Sequence, residues 1–301
     1  MSNQKEKIEE LSRLIEIEPY KAELYVKRGD VYRCESGYTL EDFDYSGYTK
    51  EINGITYNDG YAKSIDDYTK AIELDPTFEK AYYSRAAAYN DLGQNDKVLE
   101  DTGKVIELNP LYAKPYRERG ICYERLNRHD EAMADFNKAI ELAPDWAVTY
   151  VNRALAYDRL KQYDKAMADY DIVFRLDPSD VWFLHNRGCT YMNMEQYDKA
   201  IEDFTKAIEG KFASHYARGR CYSVIGQHNK AIEDFTAIIS NPHIVSTELK
   251  YVYYGRAWSY SLLEQHDKAV KDYKKLLELD KNLDEKFEEE IREYIKNTTV
   301  S

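Results

Sequence analysis

The chain has 301 residues and a formal net charge of −13, with 43% of residues apolar and 14% aromatic. That balance supplies a sizeable core, and the acidic field argues against nucleic acid or an anionic membrane as partner, because phosphate contacts need a concentrated basic face. No apolar run reaches the ~20 residues of a membrane span and the start, MSNQKEKIEELSRL, lacks a signal-peptide core, so a cytoplasmic location is expected.

Residues 1–19 read as a lone charged helix, with 9–17 resembling the second helix of a pair. Beyond it, Pro76, Pro110, Pro144 and Pro178 stand 34 residues apart and close the phrases AIELDP, VIELNP, AIELAP and VFRLDP. With proline as position 32, seven units fill 20–283, their first helices (A) beginning at Ala22, Glu79, Ala113, Ala147, Val181, Phe212 and Lys250. Position 11 is tyrosine in every unit, and position 8 is Gly or Ala. Position 20 on the second helix (B) is mostly small, and position 24 mostly carries a ring, so knobs face holes across an antiparallel helix pair.

In the first unit Pro19 and Pro76 lie 57 apart, which leaves an insertion at about 35–60. Its YTKEINGITYND stretch predicts a small β-hairpin over 48–57 around an Asn53-Gly54 turn. Two joints depart from the period. The sixth unit starts 31 residues after the fifth, with Gly210 in place of the usual leucine, and the seventh follows 38 later. Residues 284–301 close the array with an amphipathic helix bearing Phe287, Ile291 and Ile295.

Position 7 is arginine (Arg28, Arg85, Arg119, Arg153, Arg187, Arg218, Arg256) and position 23 is aspartate (Asp67, Asp101, Asp135, Asp169, Asp203, Asp234, Asp272) in all seven units. The two positions fall at the same height in an antiparallel pair, where a guanidinium–carboxylate fork would serve structure. The alternative is fourteen independent surface charges.

Cys34, Cys122, Cys189 and Cys221 show no C-x-x-C spacing, and His129, His228 and His266 share position 17 in the A–B turn as packing residues. With no phosphate loop and no nucleophile elbow, the sequence offers no catalytic set, no cofactor site and no metal site.

The pattern of a large residue at 4, small at 8, aromatic at 11, alanine at 20, aromatic at 24 and proline at 32 resembles the tetratricopeptide repeat family. The resemblance implies an all-α, right-handed superhelical solenoid of seven helix pairs, here with the small β-hairpin insertion in the first repeat. The constant arginine at position 7 departs from the family's usual aliphatic residue.

In that family the A helices line a concave groove through positions 2, 5, 6, 9, 12 and 13. Carried over, units one to three would place many charges there, among them Lys27, Asp30, Arg33, Lys80, Asp91, Arg117, Glu118, Glu124 and Arg125. Units five to seven would offer Trp182, His185, Asn186, Cys189, Met192, Tyr216, Arg220, Tyr251, Tyr254 and Trp258 as a peptide-binding surface.

The family's clamp for chaperone-tail carboxylates is not supplied in any frame. The nearest begins with Arg117 and Asn152 but has Ile121, Trp182 and Asn186 where the clamp needs Asn, Lys and Arg. The expected role is a non-enzymatic scaffold for protein–protein interaction, holding a peptide or helix of a protein partner in its groove. The alternative is homo-oligomerisation through the insertion or the convex face.

Overall fold

The computed structural model describes residues 2–35, 58–178, 181–241 and 246–299, which form sixteen helices and no strand. Helix α1 (Ser2–Ile17) precedes seven successive pairs. These are α2 (Ala22–Glu35) with α3 (Asn58–Leu74), α4 (Glu79–Asp91) with α5 (Asn95–Leu108), α6 (Ala113–Arg125) with α7 (His129–Leu142), and α8 (Ala147–Arg159) with α9 (Tyr163–Leu176). Then come α10 (Val181–Asn193) with α11 (Tyr197–Glu209), α12 (His215–Val224) with α13 (His228–Ile239), α14 (Ser246–Leu262) with α15 (His266–Leu279), and a last helix, α16 (Glu285–Thr299). Contacts divide the chain into two compact units, Met1–Asn152 and Arg153–Ser301.

The β-hairpin expectation is corrected to an all-α fold. Residues 48–57 lie outside the described residues; α2 runs to Glu35 and α3 starts at Asn58, so that 58–60, expected in the insertion, are helical. A lone two-stranded hairpin is marginal in water, and no described strand adjoins this segment to extend it.

The B helices bury positions 20, 23, 24 and 27, as in α7, where Ala132, Asp135, Phe136 and Ala139 are buried, except that Ile238 at position 27 of α13 is only half-buried. The ring at position 24 occupies the hole left at position 8. A Cβ on Gly120 would lie 2.7 Å from Phe136, and one on Gly188 would lie 2.7 Å from Phe204. The repeated tyrosines have separate tasks. At position 4, Tyr25, Tyr116 and Tyr150 donate their hydroxyls to the carbonyls of Pro19, Pro110 and Pro144 at 3.0–3.2 Å, tying a unit to the turn before it. At position 11 the carbonyl accepts the amide of position 16, as in Gln162 to Tyr157 at 2.8 Å and Gln196 to Tyr191 at 2.9 Å. Position 15 between them is left-handed (Gly93, Asn127, Lys161, Glu195, Gly226, Glu264), which ends the A helices from α4 onward in a Schellman turn.

All seven arginine–aspartate forks form. Each guanidinium donates through Nε and Nη2 to both carboxylate oxygens, at 2.6–2.9 Å. In four pairs the arginine makes a further bond. Nη1 reaches a hydroxyl on the preceding helix: Arg28 to Ser12, Arg85 to Thr69, Arg218 to Thr205 and Arg256 to Thr236, at 3.0–3.1 Å. One side chain thus joins three helices, with ring faces of positions 4 and 11 at its sides, such as Tyr82 and Tyr89 around Arg85 at 5.8 and 5.9 Å.

For Arg119 the equivalent position is Gly103, beside which a side chain would meet open space. Gly103→Thr should supply the missing acceptor and remove an interior helix glycine, raising stability by about 1 kcal/mol. Thermal unfolding checks this, and the gain should shrink in an Arg119→Leu background.

The irregular joint has a steric cause. A Cβ on Gly210 would stand 2.1 Å from Val181 Cγ1, so the end of α11 passes against the start of α10 where only glycine fits. Lys211 then takes φ 68° and the Phe212 amide donates to the Ala207 carbonyl at 2.9 Å. The expected start of the sixth A helix at Phe212 is therefore shifted to His215, and that of the seventh is earlier, at Ser246 rather than Lys250.

Candidate functional site

Within the second unit, α10, α12 and α14 carry the ten residues singled out from the sequence, and they separate into a packed set and an exposed set. His185 is packed: its Nδ1 lies 2.9 Å from Ser214 Oγ and its ring 5.0 Å from Phe212 and 5.6 Å from Phe204. Cys189 and Met192 pack against Phe204, Ala200 and Cys221 at the seam of α10, α11 and α12. Asn186 donates to the Trp182 carbonyl one turn back, at 2.9 Å, and both side chains are half-buried. Tyr254 faces the C-terminal end, with its ring 5.2 Å from Phe287 and 6.4 Å from Tyr273. These five side chains other than Trp182 hold the framework.

The exposed set is Tyr216 (36% exposed), Tyr251 (54%) and Trp258 (47%), with exposed Arg220 beside Tyr216, its guanidinium carbon 5.9 Å from the ring centroid. Burial raises the Tyr216 hydroxyl above its usual range, with Arg220 opposing and Tyr251 adding to the rise. Sequence reasoning passed over Val224 (62%) and Leu262 (49%), exposed on the same helices at position 13, a groove position whose apolar residues it left unremarked. These exposed side chains lie on α12 and α14, which pack on one another.

The charges expected at equivalent positions of the first unit are largely engaged with each other. Arg33 donates to Asp91 at 2.7 Å, Lys80 stands 3.5 Å from Asp30, and Arg117 pairs with Glu118. Asp30 also accepts from Tyr68 at 2.9 Å, Arg125 donates to Asn90 at 2.5 Å, and buried Glu124 lies 2.9 Å from His129 Nδ1. Partners from successive A helices, often 35 residues apart, cross-link the array. The pattern of positions shows which side chains share a face. It does not show that they satisfy one another.

Burial pushes the thiols of Cys122 and Cys221 up to about 11 and that of Cys189 to about 12, whereas Cys34 is exposed. Native protein at pH 8 should therefore show one rapidly labelled thiol, abolished by Cys34→Ser, with the other three released on unfolding. Rapid labelling of two or more would contradict the packing described. Among the described residues no three His, Cys, Asp or Glu come together to hold a metal ion, and no helix is long and apolar enough to cross a membrane.

Family models for the tetratricopeptide repeat match residues 113–145, 147–180, 181–209 and 251–283, and one described as TPR repeat matches 60–93, together just over half the chain. A tetratricopeptide repeat protein from Parabacteroides merdae is 17% identical over 80% of this chain and 93% of its own, with a TM-score of 0.59. A chain of the APC/C hetero-tetramer Cut9–Hcn1 is 14% identical over 96% of this chain and 51% of its own, with a TM-score of 0.65. Yeast Tom70 is 16% identical over 99% of this chain and 59% of its own, with a TM-score of 0.63. These likenesses show the helical-repeat fold.

Proposed function

Because the chain belongs to the tetratricopeptide repeat family, whose stacked helix pairs build extended interaction surfaces, we propose that it is a non-enzymatic scaffold for protein–protein interaction. Its binding surface is the A-helix groove of the second unit, which takes a peptide or helical segment of a protein partner. The seven pairs of 20–283 form the binding body, and residues 1–19 and 284–301 cap its ends. The observation that carries this reading is the exposure of five large apolar side chains, Tyr216, Tyr251, Trp258, Val224 and Leu262, on two A helices that pack on one another. Large amphipathic rings give contact area at low conformational cost and dominate interface energies.

The packed residues His185, Cys189, Met192 and Tyr254 then act by holding the helices that present the exposed side chains. Affinity capture from the native host with wild type and with a Tyr251→Ala, Trp258→Ala variant tests the proposal. Partners retained by wild type and lost from the equally folded variant support it. Partners retained by both would remove this face from consideration.

A further inference from the structure

We propose that this groove selects segments in which an acidic side chain stands next to the apolar anchor, and that Arg220 is the residue that receives the carboxylate. The inference rests on the groove reading above and adds the chemistry of its ligand.

Helices α10 and α12 contain no Asp or Glu, and α14 contains one, Glu248 in its first turn, in a chain that has 55 of them. Five cations stand in these spans. Arg187, Arg218 and Arg256 are held by the forks to Asp203, Asp234 and Asp272, and Lys250 donates to Asp280 at 2.8 Å. Arg220 is the fifth. It is exposed, lies beside the Tyr216 ring, and has no carboxylate partner among the described residues.

A partner laid across Tyr216, Tyr251 and Trp258 would also cover Arg220. Covering a guanidinium without an acceptor is costly, whereas a carboxylate accepts from its planar fork in two parallel bonds that strengthen as water leaves. A purely apolar or basic segment would meet that penalty, and an acidic one would not. The rest of this acidic chain repels such a segment at long range, so the contact contributes selectivity more than rate of encounter.

A display library of short random peptides, selected on the full-length protein, is the test. The selected peptides should be enriched in Asp or Glu beside an aromatic or large aliphatic residue. They should lose at least about tenfold in affinity for Arg220→Gln, the loss of a charge-assisted bond. Selection on Arg220→Glu should instead favour Lys or Arg next to the same kind of anchor. Peptides without acidic enrichment, or bound equally by Arg220→Gln, would overturn the inference and leave the groove standing, provided that Trp258→Ala weakens them. Binders insensitive to both variants, or a library yielding none, would contradict the inference and the groove reading together.

Discussion

Truncating either Arg187 or Asp203 alone should destabilise the α10–α11 pair by about 3–5 kcal/mol, whereas replacing both with leucine should cost far less. The reason is geometric. The aspartate side chain is 4% exposed and the arginine 17%, and each satisfies the other through two bonds of 2.8 Å, so a lone survivor is a desolvated charge without a partner. Arg187 also lies 5.3 Å from the Phe183 ring centroid and 5.8 Å from that of Tyr191, contacts that leucine partly replaces. A stacked array can unfold piecewise, so the double-mutant cycle is best read from amide exchange in α10 and α11. A coupling energy near zero would mean that the fork is an ornament of the surface.

The second large effect is on binding. Trp258→Ala should weaken a groove ligand by about 2 kcal/mol or more, because buried aromatic anchors carry most of an interface's energy. Fold stability should change little, since Trp258 is 47% exposed in the free protein. Lys80→Ala is the contrast: its ammonium is exposed and lies 3.5 Å from Asp30, a screened surface pair. Its loss should alter ligand affinity by less than about 1 kcal/mol at physiological salt.

Much of the framework was legible because it repeats. A residue type that recurs at one position in seven units is constrained by a neighbour that recurs with it, and Arg187–Asp203 could be paired on that basis alone. The third partner of the arginine was not seen, because Ser12, Thr69, Thr205 and Thr236 sit on the preceding helix and alternate with Gly103 and Asn137. Departures from the period were harder to read. The helix start at His215 depends on a single close approach, Gly210 to Val181, that no local propensity encodes. The Asn53-Gly54 signal is a property of two residues, while a strand requires neighbours.

For the candidate site, repeat position identified which side chains share the A-helix face. Which of them remain available depends on third helices and on neighbouring repeats. His185 is taken by Phe212 and Ser214, Tyr254 by Phe287, and Arg33 by Asp91, each contact arising at a joint or between repeats. Tyr216, Tyr251 and Trp258 stay exposed, although Arg220 and Lys250 lie against the first two rings.

The central claim is that the second unit's A-helix face holds an apolar anchor of a protein partner. The most direct measurement is the affinity of a partner recovered from the native host for wild type and for Trp258→Ala, by titration calorimetry, with melting temperatures recorded for both. We expect an affinity loss of about thirtyfold or more at an unchanged melting temperature. Equal affinities would contradict the account.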